Sequence, residues 1–459
     1  MKLCSQAPVF QQYGERMAQA FATQSAEAPT LPTSTDDPGP RVVVAQMGAR
    51  MHYAAPLALH AEGLLAHLYT DAYAGPGTGA GLAVGVLSSL LSLPLLDRAG
   101  GLSADLPSSK VSSFNLFGIR ARLRTRHAAK SADLLQAYLK NGRLFSKKVV
   151  ARGLHGADVI YAYSTAAVEL FRHARSRKCR CILEQMMAPK LAEYEMVNAE
   201  YERFPAWEPK PRWTESGVLD THSVQLEEWR LADGIIAPSG WVSSALRNLG
   251  VPAEKIAVVP YGLPDGLFRD RFIRSYPGDR PLRVLMVAGS LHLQKGLQYL
   301  LEAAENLCRA SSRCIQVRCV GQNLLRPSIA QRFNGVVQFA GPISRTKVYQ
   351  HYKWGDIFVF PSLCESMSTA VHEALANGMP VITTPNSGSQ VRDGVDGLIV
   401  PPRDAQALAD AIQRYLDHPD LVEKMSRSAM AGSARFGLEV YRRRLVHALK
   451  QFVKGPSVG

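Results

Sequence analysis

The stretch from Phe360 to Ile382 places two carboxylates around what reads as the start of a helix. It runs Phe-Pro-Ser-Leu-Cys-Glu-Ser-Met-Ser-Thr-Ala-Val-His-Glu-Ala-Leu-Ala-Asn-Gly-Met-Pro-Val-Ile. The pattern predicts a strand, a polar loop, a helix, a stop and a second strand. Ser366 or Ser368 can cap the helix, and Asn377-Gly378 supplies the left-handed residue that ends it. Amide groups at such a helix start form an anion site. Glu365 precedes the turn and Glu373 lies inside the helix, and carboxylates so placed can accept hydrogen bonds from sugar hydroxyls. Taken alone, Glu373 also suits a surface helix position. His372 reads as a packing or surface residue.

Other chemistry-bearing residues are sparser. Gly48 follows the first strand, where a glycine lets backbone approach a ligand closely. The seven cysteines do not form paired Cys-x-x-Cys motifs, so reduced and mostly buried thiols are expected rather than a zinc centre. Neither Gln46–Ala55 nor Gly289–Gly296 supplies the Gly-x-Gly-x-x-Gly of a dinucleotide-dependent oxidoreductase.

The elements around these residues alternate. Short apolar runs at Val42–Ala45, Asp158–Ala162, Cys179–Leu183, Gly234–Ala237 and Ile256–Val259 read as buried parallel strands with helices between them. A helical stretch is expected from Gly48 through Leu65. The pattern restarts at Leu282–Val287 and continues with Ile315–Val320, Val336–Phe339, Ile357–Phe360, Val381–Thr383 and Gly397–Val400. Two α/β halves imply a cleft, and open parallel sheets bind ligands at the carboxyl ends of their strands. The expected organisation is a mobile tail over 1–40 and a first Rossmann-like domain over 41–275. A second follows over 276–435, then a C-terminal helix over 436–459 that packs back on the first.

The 459 residues carry 53 Lys and Arg against 39 Asp and Glu, a formal net charge of +14. A basic balance favours an anionic partner. Two segments of the first half stand out. Ala72–Leu96 has no charged residue. Phe117–Arg152 holds ten Lys or Arg against Asp133 alone. The basic run fits a solvated helix face, an anionic acceptor site or a lipid surface. Few aromatics are interleaved for base stacking, so nucleic acid is not an expected partner. The first 40 residues lack a cationic start followed by an apolar run, so no secretory leader is expected in them. A cytoplasmic location, peripheral to the inner face of an anionic membrane, fits both segments.

The Phe360–Ile382 stretch resembles the donor-site signature of glycosyltransferase family 4, the glycosyl transferases group 1. These are retaining enzymes of the GT-B fold, two doubly wound Rossmann-like domains facing each other across a cleft. Two glutamates there are separated by seven residues, as are Glu365 and Glu373. The resemblance implies that Glu365 contacts donor-sugar hydroxyls and Glu373 the nucleotide ribose. The amides of Ser366, Met367, Ser368 and Thr369 would hold sugar and phosphate. The family usually has Gly-Phe-Gly where this chain has Ser366-Met367-Ser368. Ala288–Gly296 is similar to the segment after the second domain's first strand, which assigns Gly289, Ser290 and Lys295 to the donor. Lys295 would sit on the diphosphate, while Ser290 stands where an arginine is usual. Gly48 would lie near the donor phosphate, and Glu184 or Gln185 falls where the family often has a histidine near the sugar.

The implied activity is metal-independent transfer of a sugar, such as a hexose, from a nucleotide-sugar to a glycan or lipid-linked acceptor. No cofactor is expected beyond the donor substrate. A nucleotide-sugar epimerase or sugar phosphorylase of the same fold, or a non-catalytic membrane-surface protein, are the alternatives.

Overall fold

The structure, a computed structural model, describes residues 39–75, 105–129, 134–209, 213–264, 272–310 and 315–455. The expected N-terminal tail and most of the uncharged Ala72–Leu96 stretch lie outside the described residues.

The first half is built on seven parallel strands: β1 (Val42–Gln46), β2 (Leu65–Thr70), β3 (Val111–Ser113), β4 (Val159–Tyr163), β5 (Arg180–Glu184), β6 (Gly234–Ala237) and β7 (Ile256–Val258). Their order is β3-β2-β1-β4-β5-β6-β7. β1 is central and buried along its whole length. Val43, Ile160, Leu183 and Ile235 join one core on one sheet face. Val42, Val44, Tyr161, Ile182 and Ile236 join another on the opposite face. Burial on both faces explains why these strands read as continuous apolar runs.

The helices of this half are α1 (Ala54–Ala61), α2 (Asn115–Ala128), α3 (Leu134–Arg152), α4 (Val168–Ser176), α5 (Lys190–Arg203), α6 (Glu215–Leu231) and α7 (Gly240–Asn248). The helix expected to reach Leu65 stops at Ala61, and β2 begins where it was to end. His67 interrupts the apolar pattern of that strand. It is nevertheless buried, hydrogen-bonded to Ser112 Oγ at 2.9 Å and stacked on His155.

The second half has six parallel strands: β8 (Leu282–Leu291), β9 (Ile315–Asn323), β10 (Val337–Gly341), β11 (Ile357–Phe360), β12 (Val381–Thr383) and β13 (Gly397–Ile399). Their order is β10-β9-β8-β11-β12-β13. β8 runs past its expected end at Val287. Its register slips between Val287 and Ser290, and Ser290 then pairs with Gln322. The helices are α8 (Leu297–Ala310), α9 (Pro327–Arg332), α10 (Arg345–Trp354), α11 (Thr369–Ala376), α12 (Ala405–Asp417), α13 (Asp420–Ala431) and α14 (Leu438–Lys454).

Each half lends an element to the other. α14 returns to the first sheet, where Tyr441, Leu445 and Leu449 share a core with Val44, Tyr161 and Ile236. Its Phe452 lies so close to Gly234 that a Cβ there would meet the ring at 2.4 Å. Conversely, Phe204 and Trp207, just after α5, are buried in the core of the second half. The Glu200 carboxylate of α5 accepts from Gln298 at 2.8 Å and Tyr299 at 2.7 Å, and pairs with Arg403 at 2.6 Å. Removing one partner from such a buried charge network is costly, so α5 fixes how the halves meet.

Candidate functional site

The site forms where the turn after β8 meets the loop after β11. Residues Leu293–Lys295 make a tight turn into α8. Gly296 closes it at φ +71°, and a Cβ there would sit 1.9 Å from the Pro361 carbonyl oxygen. Only glycine satisfies both the left-handed backbone and the contact. This approach brings the Lys295 ammonium into an ion pair with the Glu365 carboxylate. The two side chains are only 19% and 14% exposed. Burial pulls the Lys295 ammonium down to about 8, because desolvation disfavours the charged form.

The loop from Ser362 to Ser368 is pinned along its length. Leu363 N donates to Gln294 O at 3.0 Å, Glu365 N to Asn386 O at 2.9 Å, and Ser368 N to Ser387 O at 3.0 Å. Ser239 Oγ, from the first half, donates to Ser366 O at 2.6 Å. Ser368 is the cap of α11, with its Oγ accepting from Val371 N at 3.4 Å. Gly378, at φ +68°, follows the helix's last turn. The N-terminus of α11, with its partial positive charge, therefore starts beside the Lys295–Glu365 pair.

A cavity of about 210 Å³ opens at this pair. Lys295, Glu365, Ser366 and His292 wall it from the second half. Glu193, Tyr201 and Glu208 wall it from the segment that crosses over from the first. Gln294 Nε2 bridges the two walls, donating to Glu193 Oε1 at 3.2 Å and Cys364 O at 2.9 Å. Glu208 accepts from the Leu293 amide. The cavity thus joins an ammonium and a carboxylate able to exchange that ammonium for hydroxyls, three residues ahead of the α11 cap Ser368.

Residues 282–418 match the family described as Glycosyl transferases group 1. A protein of Salmonella typhimurium, named as a colanic acid biosynthesis glycosyltransferase (WcaL), is 30% identical over 249 residues. That alignment covers 51% of this chain and 60% of the relative. The second half of the chain carries the likeness to the group 1 glycosyl transferases. The chain spans about half the length of the curated relatives it matches. Its whole fold resembles sucrose-phosphate synthase from Thermosynechococcus elongatus, with TM-score 0.56 and 19% identity, over 90% of this chain and 98% of that one. It also resembles Anabaena HepE in complex with UDP, with TM-score 0.55 and 16% identity, over 89% and 99% of the two chains. The architecture is GT-B.

In this chain Lys295, Glu365 and Ser366 come together at the cavity, whereas other expected site residues stand apart from its walls. Glu373 lies one turn into α11, half-buried, and its Oε2 accepts from Tyr352 OH at 3.1 Å. Glu184 was expected near the sugar, but it is buried in the first half. Tyr161 and Tyr261 donate to its carboxylate, the latter at 2.7 Å, and burial raises its carboxyl above the usual range. Gln185 accepts from Trp229 Nε1 at 2.9 Å. Gly48 holds φ +72°, and its amide donates to Asp71. It leads into Met51, His52 and Tyr53, three consecutive left-handed non-glycine residues. Gly289 is exposed and Ser290 half-buried at the register slip. Among the four expected donor amides, that of Ser368 is committed to Ser387 O. Thr369 is the first residue of α11. Met367 is 5% exposed in the core beneath the first sheet.

His372 is a packing residue. Its ring is fully buried and stacked on Phe436, its Nε2 accepts from Gln390 N at 3.1 Å, and burial lowers it to about 3. The five described cysteines are free thiols, four of them buried. Cys364 borders the cavity, and burial pushes its thiol well up, away from thiolate chemistry. Glu193 and Glu208 are the residues that sequence reasoning missed. Their signal was the acidic density between Lys190 and Glu208, which had no local motif to attach it to the site.

Proposed function

We propose that the chain transfers a sugar, with retention at the anomeric carbon, from a nucleotide-sugar to a glycan or lipid-linked acceptor. The observation that carries this is the dehydrated Lys295–Glu365 pair facing the cavity at the start of α11. A departing diphosphate needs charge stabilisation placed in advance. Lys295 and the α11 N-terminus provide it when the donor's phosphates replace Glu365 as partner of the ammonium. Glu365, released, accepts hydrogen bonds from the sugar hydroxyls. With no side-chain base assigned, the departing phosphate takes the acceptor's proton on the same face, as the resemblance implies.

The family match covers the half that holds these residues. The Anabaena neighbour is in complex with UDP, and the Salmonella relative is named for colanic acid biosynthesis. A lipid-linked acceptor would locate the chain at the inner membrane face. Among the described residues, no helix is long and apolar enough to cross a membrane.

The test is calorimetric titration with a panel of nucleotide-sugars, followed by NMR of the product anomer. Saturable binding that is lost in Lys295→Ala, and a product with the donor's anomeric configuration, support the proposal. A folded protein that binds no member of the panel contradicts it.

A further inference from the structure

Helix α2 has two apolar faces, and among the described residues only one is buried. Phe117, Gly118, Ala121 and Ala128 are buried against the first half. Leu116, Ile119 and Leu123 point the other way. At 3.6 residues per turn, positions three and four apart share a face, so these three form one ridge. They are 63%, 54% and 60% exposed, and are the three most exposed large apolar side chains among the described residues. Singly exposed leucines need no explanation, but a contiguous group on one helix marks an interaction site.

Charge brackets the ridge. Arg122 and Arg126 flank it on one side, and Arg120 on the other, all exposed. Neither α2 nor α3 carries an acidic residue. A helix exposed merely for solubility mixes both signs. This one is held rigidly in place. Asn115 brackets Tyr73 with two hydrogen bonds of 2.9 and 3.1 Å. Gly118 packs so tightly that a Cβ would meet Asp71 O at 2.0 Å. Arg124 Nε donates to Asn141 at 2.8 Å.

We propose that α2 is a preformed docking element for an anionic phospholipid surface. It lies in the plane of the interface. Leu116, Ile119 and Leu123 enter the boundary between headgroups and acyl chains, and the arginines reach outward to lipid phosphates. The two contributions are complementary: apolar burial alone would suit any bilayer, and arginines alone any polyanion. The proposal rests on the transferase reading only in giving that surface a purpose, a lipid-linked acceptor.

The test is co-sedimentation of the full chain with vesicles of phosphatidylcholine alone or mixed with phosphatidylglycerol. Binding is expected only with the anionic lipid, and should fall with added salt as surface attraction is screened. Leu116→Ser/Ile119→Ser/Leu123→Ser should abolish it. Arg120→Gln/Arg122→Gln/Arg126→Gln should weaken it by about a hundredfold. These side chains face solvent, so circular dichroism and nucleotide-sugar titration should match those of the unaltered chain. Equal recovery in the supernatant with both vesicle types at low salt overturns the proposal. So does a concentration-dependent dimer, abolished by the serine variant, in the absence of vesicle binding, because the ridge then belongs to a second copy. Failed docking with intact donor binding leaves the transferase reading standing. Intact docking with no donor bound removes that reading and leaves the docking.

Discussion

The backbone N–H of Tyr261 donates to the Sδ of Met367 across 3.1 Å, and this contact ties the loop at the candidate site to the first half of the chain. Met367 occupies the middle of Ser366-Met367-Ser368, where the family pattern usually has phenylalanine between glycines. Its side chain does not line the cavity. It is inserted among Val259, Tyr261 and Tyr441 under the first sheet, while Ser239 holds the carbonyl of the preceding residue. An unbranched thioether fits such an irregular junction. The loop thus takes its order from packing against the first half.

Met367→Ala is therefore expected to act on stability and donor binding together. Truncating a buried methionine costs about 2–5 kcal/mol, and the freed loop would no longer hold Glu365 against Lys295. Met367→Leu, which conserves volume, should cost less than about 1.5 kcal/mol. Thermal melting paired with donor titration reads both effects. An alanine variant that melts lower but binds donor unchanged would separate the loop's order from this contact.

The two glutamates should separate in their effects. Glu365→Ala is expected to impair turnover and sugar discrimination while bare nucleotide still binds. Glu373→Gln leaves Tyr352 an acceptor, so folding should hold, while donor affinity falls by about 1.5–3 kcal/mol as a charged hydrogen bond to ribose is lost. Unchanged affinity in that folded variant would assign Glu373 to Tyr352 alone.

Much of this arrangement was legible because it is local. The runs Val42-Val43-Val44 and Ile357-Phe358-Val359-Phe360 announce strands, since both their faces are buried. The cap at Ser368 and the stop at Asn377-Gly378 are set by immediate neighbours. β2 was hidden because buried His67 looks polar until its partners Ser112 and His155 are in place. The far wall of the cavity was hidden for a different reason. Glu193 meets Gln294 and Glu208 meets Leu293 across 101 and 85 residues of sequence, and no periodicity encodes such a meeting. Met367 reads as a loop residue until Tyr261 closes over it.

Donor affinity should fall as pH rises above about 8. Lys295, dehydrated by its surroundings, keeps its proton only below that value. The cation proposed to compensate the diphosphate is present at pH 7 and lost on the alkaline side. Affinity is expected to drop by up to about tenfold per pH unit, since one protonation is then required for binding. Titration at pH 7, 8 and 9 measures it. Lys295→Arg stays charged throughout and should flatten the dependence, even with weaker binding. A steep fall preserved in that variant would point to another group.

Acid should destabilise the second half through His372. Its folded value of about 3 lies below the ordinary histidine value of about 6.5. Between those limits the unfolded chain binds the extra proton, so stability is full above about 6.5 and is lost as pH falls. The loss at pH 5 is at most about 2 kcal/mol. His67, lowered to about 4 by burial, adds a slope of the same sign, so the comparison with a variant isolates His372. His372→Gln keeps an acceptor for the Gln390 amide and removes the titration. Its melting temperature should fall less between pH 7 and 5 than that of the unaltered chain, and equal slopes would exclude His372 as the cause.

Turnover should survive chelation. On the proposed reading, the Lys295 ammonium and the amide end of α11 supply the positive charge that a departing diphosphate requires. Lys295 is directed at the cavity by its turn and held there by Glu365. Glu193 and Glu208, the carboxylates on the opposite wall, are engaged with Gln294 and the Leu293 amide. Among the described residues, no three His, Cys, Asp or Glu side chains gather in a way that could hold a metal ion. Activity measured in excess EDTA is therefore expected to match that of the untreated protein, and added Mg²⁺ should change it little. Lys295→Ala should lose activity under both conditions, because the proposal assigns stabilisation of the departing diphosphate to that ammonium. Abolition by EDTA with recovery on Mg²⁺ or Mn²⁺ would transfer phosphate stabilisation from Lys295 to a metal brought in with the donor. A Lys295→Ala variant rescued by high Mg²⁺ would carry the same meaning.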